Sequence, residues 1–147
     1  MSKNVPQAFE NHARLVPAYH FVAFLILVAY VGWSLWQLVR APFAVGEVFA
    51  LLFAVAVAII WFYARVFALT AQDRIIRLEM RLRLQQLLPD DLKPRIGEFS
   101  VAQLVGLRFA SDAELPALAR KVLEERIEDR KAVKRLVRDW QGDYLRV

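Results

Sequence analysis

His12 and His20 are the only side chains in this sequence whose ordinary pKa lies near neutrality. His20 stands beside Tyr19 inside a long uncharged run. An imidazole in an apolar segment can ligate haem iron or a chlorophyll magnesium, carry a proton or touch a lipid headgroup. The plainer reading is an interfacial side chain that shares an aromatic belt with Tyr19. Glu47 has a similar pair of readings: a carboxylate favoured by the positive end of a helix N-terminus, or a buried polar contact with another subunit. Arg74, Arg77, Arg81 and Arg83 raise phosphate binding. However, residues 65–147 hold 17 basic and 13 acidic residues, a net of +4. Phosphate-binding surfaces cluster base without acid, so these arginines read as a solvated helix face and no nucleic-acid partner is expected. There is no phosphate-binding glycine loop, nucleophile elbow or His-Glu-x-x-His pair. Zero cysteines exclude disulfides, thiolate zinc sites, iron–sulfur clusters and a cysteine nucleophile. No catalytic residue, metal or resident cofactor is assigned.

The elements that must carry these residues are set by how charge is partitioned. The 147 residues are 58% hydrophobic and 24% charged, with a net charge of +5. That apolar share exceeds the roughly 45–50% of a soluble chain. Leu15 to Val39 carries no Asp, Glu, Lys or Arg, and Phe43 to Ala64 carries only Glu47. Each stretch exceeds the about 20 apolar residues needed to cross a bilayer, and apolar side chains run round every face. A soluble globular enzyme and a wholly disordered chain are therefore excluded. Tyr19, Trp33, Trp36, Trp61 and Tyr63 fall where interfacial aromatics belong. The link Arg40-Ala41-Pro42 is short, and Pro42 suits the opening of a second helix. The expectation is an antiparallel transmembrane hairpin, helices 15–39 and 43–64, preceded by an N-terminal segment 1–14. Lys3 and Arg14 before it, and Arg65, Arg74, Arg77, Arg81 and Arg83 after it, outweigh Arg40 in the loop. The positive-inside rule then places both termini in the cytoplasm. A cleaved secretory signal is not expected, because the apolar run begins late and is too long.

Gly46, Ala50, Ala54 and Ala58 recur every four residues and mark a helix-packing face, toward the first helix near Ala29 and Gly32 or toward a second protein. Arg14 and Arg65 are placed to touch lipid headgroups. Beyond the membrane the second helix continues as a stalk over residues 65–88, about 35 Å long, until Pro89. Asp73 with Arg77, and Glu79 with Arg83, have the spacing of stabilising helix pairs. Leu69, Ile76, Met80 and Leu87 form one apolar stripe; Ile75, Leu78 and Leu82 form another. Two stripes in water need two coverings, one from the C-terminal segment and one from a partner. After a loop over 89–99 come capping signals: Ser100 with Gln103, and Ser111 with Glu114. They open helices over about 101–109 and 112–126, and a last helix runs over about 129–141, with Trp140 on its apolar face and Gly142 as its stop. This all-α unit, residues 100–147, is too small to be robust alone and is expected to dock, with Ile75, Leu78, Leu82 and Trp140 as docking residues.

Several segments together resemble one family. They are Gln7-Ala8-Phe9-Glu10-Asn11-His12-Ala13-Arg14 with Pro17, and the stalk Gln72-Asp73-Arg74-Ile75-Ile76-Arg77-Leu78-Glu79-Met80-Arg81-Leu82-Arg83. Leu107-Arg108-Phe109-Ala110-Ser111-Asp112 and Asp139-Trp140-Gln141-Gly142-Asp143-Tyr144 add to them. The chain is similar to a bacterial family of short two-span membrane proteins described as a domain of unknown function. The resemblance implies a bacterial origin and the cytoplasmic membrane, and it carries no activity.

The function expected is a non-enzymatic accessory or scaffold subunit of a bacterial inner-membrane assembly, either a larger complex or a homo-oligomer. The alternative is a cofactor-carrying subunit of an electron-transfer or light-harvesting complex, with His20 as axial ligand. A channel is disfavoured because only Ser34 and Gln37 interrupt the first span.

Overall fold

The computed structural model describes residues 8–10, 15–40 and 44–143. Their regular elements are all helices, with no strand among the described residues, and they divide into two units. One holds the described residues 15–40 and 44–69; the other holds 8–10 and 70–143.

In the first unit the chain enters through Pro17 into a π-helical turn, Ala18–Ala23, before settling into α1, Phe24–Arg40. The sequence expectation of a regular helix from Leu15 is corrected here. The Val16 carbonyl accepts from the amides of both Tyr19 (3.0 Å) and His20 (2.9 Å). α2 spans Val45–Leu87 without a break. It contains no proline, and its one glycine, Gly46, lies in the first turn, so nothing within it interrupts the hydrogen-bond ladder. The segment Ala18–Arg40 and α2 are both long and apolar enough to cross a membrane, and only 6% of each apolar window is buried. A soluble core helix of that composition would be covered by protein.

The second unit is built on the distal half of α2. Ile76, Met80, Leu84 and Leu88, at successive four-residue steps, are buried in one core with Leu92, Ile96, Phe99, Leu104, Leu107, Leu115 and Val122. Between α2 and the next helix the expected loop contains a 3₁₀ helix, Lys93–Glu98. The Pro89 carbonyl starts the bend by accepting from the amides of Leu92 and Lys93. Ion pairs Lys93–Asp90 (2.8 Å) and Arg95–Glu98 (2.9 Å) brace it while Leu92 and Ile96 face inward.

α3, Val101–Leu107, opens on the expected capping box. The Gln103 amide donates to Ser100 Oγ at 3.2 Å, and the Ser100 amide donates to Gln103 Oε1 at 2.8 Å. α4, Leu115–Glu124, carries Pro116 in its first turn. It stops at Arg126, whose φ of 50° is left-handed. There the Ile127 amide folds back onto the Val122 carbonyl at 3.1 Å, the closing bond of a Schellman-type stop. α5, Arg130–Leu136, is capped by Asp129, which accepts from the Ala132 amide at 2.7 Å. Gly106 lets α3 and α5 meet closely: a Cβ there would lie 2.7 Å from Val133 Cβ.

The second capping box and the last helix both depart from the sequence expectation. Ser111 accepts from the Glu114 amide (3.3 Å), but the Glu114 carboxylate does not return to complete a box. It accepts instead from the amides of Arg138 and Asp139, each at 2.9 Å. For that reason the last helix does not reach Gln141. The chain extends at Val137 and pairs with residues 109–111, Ser111 amide to Asp139 carbonyl and Gln141 amide to Phe109 carbonyl. Trp140 thus lies on an extended segment rather than a helix face.

Candidate functional site

Three places concentrate specific contacts, and the first joins the start of the first apolar segment to α2. Tyr19 stacks on Trp61 with ring centroids 5.2 Å apart and planes 15° from parallel. Its hydroxyl donates to the Trp61 carbonyl, and the Trp61 indole N–H reaches the Tyr19 carbonyl at 3.4 Å. Phe24 extends the stack, 5.4 Å from Trp61. In an apolar solvent these exchanged hydrogen bonds satisfy polar groups that lipid could not. The π-turn aims Tyr19 this way, and π-bulges recur at functional positions.

His20 occupies the same turn and points elsewhere. Its Nδ1 lies 3.0 Å from both the amide and the carbonyl of Val16, and its ring meets Tyr19 edge-on at 5.2 Å. An apolar cavity of about 270 Å³ nearby is lined by Phe24, Leu27, Val28, Val31, Ala58, Trp61 and Phe62. His20 does not line it.

The small-residue row is graded. Ala54 is fully buried, Ala50 and Ala58 are half-buried, and Gly46 is exposed. Among the described residues nothing comes within 4 Å of where a Gly46 Cβ would stand. On α1 the one buried residue is Ser34. Both fully covered positions, Ser34 and Ala54, are small, as close backbone approach requires. Ala29 and Gly32 are exposed. Glu47 and Arg65 are half-buried, and Arg14 lies outside the described residues.

The second place is Arg83. Its guanidinium donates to the carbonyls of Ala110 (2.6 Å) and Arg108 (3.2 Å) and to the Asp112 carboxylate (2.8 Å). A weaker contact reaches the Gln141 amide oxygen at 3.4 Å. This one side chain ties α2 to the segment after α3 and to the extended C-terminal strip. The planar fork of arginine suits that multiple role. The sequence pairing of Glu79 with Arg83 is corrected, because Asp112 takes the guanidinium. Asp73 and Arg77 likewise form no ion pair among the described residues. Arg120 makes a parallel tie to Asp91 at 2.7 Å.

The third place is the pair of stripes on the distal half of α2. The C-terminal helices cover Ile76, Met80, Leu84 and Leu88. Ile75, Leu78 and Leu82 are left 57%, 62% and 53% exposed. Among the described residues, the C-terminal helices thus leave those three uncovered. Trp140 does pack internally, stacked on Phe109 at 4.4 Å. Sequence reasoning missed Arg83 as a hub, Gly106 as a contact point and the Tyr19–Trp61 exchange. Of these only the aromatic pair had a signal, two belt residues at the facing ends of adjacent apolar runs.

An all-helical chain with two apolar helices long enough to span a membrane, the second entering a small helical unit, is the class these observations define. The chain belongs to the family of unknown function DUF6526, whose model matches residues 1–147. No curated protein and no solved structure matches it.

Proposed function

We propose that this protein is a non-enzymatic scaffold or accessory subunit of the bacterial inner membrane. Its two apolar helices insert as an antiparallel hairpin with both termini in the cytoplasm. α2 emerges as a stalk that seats the C-terminal helices and presents an apolar face to a partner.

The observation that carries this reading is the character of α2 itself. Its proximal half exposes Phe49, Phe53 and Ile60, more than 60% each, and its distal half supplies the buried Ile76, Met80 and Leu84 to a compact core. Apolar surface of the first kind belongs in lipid; a core of the second kind belongs in water. The antiparallel sense draws on the Tyr19–Trp61 exchange, which pairs the start of one span with the far end of the other. Cytoplasmic termini draw on the excess of Arg and Lys flanking the two spans.

Crosslinking in intact membranes, followed by gentle detergent extraction and mass spectrometry, tests the scaffold role. A discrete assembly larger than one chain is expected. Recovery as an uncrosslinked, monodisperse monomer would overturn the proposal.

A further inference from the structure

We infer that the exposed stripe on the distal half of α2 is the seam of a parallel coiled-coil dimer with a second copy of this chain. The inference rests on the membrane-anchored reading above for the alignment of the two copies. Ala71, Ile75, Leu78, Leu82 and Gln85 follow at intervals of four, three, four and three. That is the a/d spacing of a heptad seam, with Ile75 and Leu82 at a, and Ala71, Leu78 and Gln85 at d. At about 100° per residue this stripe lies roughly half a turn round the helix from Ile76, Met80 and Leu84, which fall at b, f and c. The chain's own helices thus occupy the b, c and f side and leave the a/d side open. Ile at a with Leu at d, as in Ile75 and Leu78, favours two strands.

The flanking charges choose the occupant and its direction. With this register Arg74 and Arg81 fall at g, and Glu79 falls at e. Arg74 and Glu79 are both exposed, and neither enters an ion pair among the described residues. In a parallel pair the g residue of one helix faces the e residue five positions on in the other. Arg74 of one copy then faces Glu79 of its mate, and the twofold axis repeats the contact. An antiparallel pair would instead bring Arg74 toward Arg81, like against like. Two copies inserted in one bilayer with the same topology run parallel, and shared anchoring raises their effective concentration enough for a short seam to close.

The chain has no cysteine, so single-cysteine variants report the contact directly. Full-length Leu78→Cys and, separately, Ile75→Cys in native membranes should oxidise to a dimer of twice the chain mass. Arg77→Cys, exposed but off the seam, should give little. Adding Glu79→Arg to Leu78→Cys should abolish the dimer band, and adding Arg74→Glu to that pair should restore it. The seam is overturned if both seam cysteines crosslink no better than Arg77→Cys, if they join a protein of different mass, or if the charge exchange fails to rescue. Membrane fractionation of the same samples separates the two readings. A soluble chain that still gives the symmetric, charge-dependent dimer keeps the seam and removes the anchor. A membrane-embedded chain without the dimer keeps the anchor and removes the seam.

Discussion

Arg83 fixes the C-terminal unit through one guanidinium, and the geometry sets what its loss would do. Its side chain is 21% exposed, with carbonyls at 2.6 and 3.2 Å and a carboxylate at 2.8 Å. Lysine keeps the charge but offers a point donor on a flexible stem, unable to serve both carbonyls and Asp112 together. Hydrogen bonds to charged groups contribute about 1.5–3 kcal/mol each, with the remaining partners regaining some water. Arg83→Lys should therefore cost about 2 kcal/mol, read as a lower thermal midpoint of the full-length protein in detergent, and Asp112→Asn should cost less because Asp112 is mostly exposed. Acid sensitivity belongs to the same scale. A hydrogen bond from Lys93 holds the Asp90 carboxyl below its usual range, and one from Arg95 does the same for Glu98. A carboxyl with a lowered folded pKa adds stability above its unfolded value, and that stability fades as pH falls through the folded value. A small drop in the thermal midpoint is expected below about pH 4. Glu98→Gln should reduce it, leaving the part due to Asp90. Both pairs are solvent-exposed, so the effect is modest.

At the scale of elements, helix ends and helix contacts decide where each piece stops. α4 ends on Arg126 at a φ of 50°, where a side chain is disfavoured and glycine is not. Arg126→Gly should raise stability by about 0.5–1 kcal/mol, measured as a higher thermal midpoint. Gly106 is the opposite case. A methyl group there would press on Val133 at 2.7 Å and on the Arg130 carbonyl at 3.3 Å. Gly106→Ala should cost about 1–3 kcal/mol as an overpacked contact. Gly97→Ala is the matched control: nothing lies within 4 Å of that Cβ, so little change is expected. α2 itself is apolar on two opposite sides of its distal half. One side is satisfied within the chain and the other is open, which is why burial rather than composition separates Ile76 from Ile75.

For the whole molecule, the testable property is which compartment holds the helical unit. If both termini lie in the cytoplasm, as proposed, protease added to sealed right-side-out spheroplasts should leave residues 70–147 intact. The same protease on inverted vesicles should release them. Cleavage in the first preparation would reverse the orientation inferred from Arg65, Arg74 and Arg77. The aromatic exchange gives a second check. Tyr19→Phe removes the hydroxyl that donates to the Trp61 carbonyl, and loss of one such bond between helices in lipid costs about 0.6–2 kcal/mol. It should appear as faster proteolysis of the detergent-solubilised protein within the apolar region.

The apolar runs, their lengths and the capping box at Ser100 were legible in the residues because each depends on neighbours within a turn or two. Periodicity also revealed two stripes on distal α2, but not which one the C-terminal helices would choose. That choice rests on contacts between residues far apart in sequence, such as Arg83 with Ala110 and Asp112. For the same reason the Glu114 box was misread: its carboxylate had a local partner available and took the distant amides of Arg138 and Asp139 instead. The linear chain alone decided which segments favour lipid and which form helices, since transfer from water and backbone propensity are local quantities. Only the folded arrangement decided which faces are covered, because burial is a property of pairs of surfaces brought together.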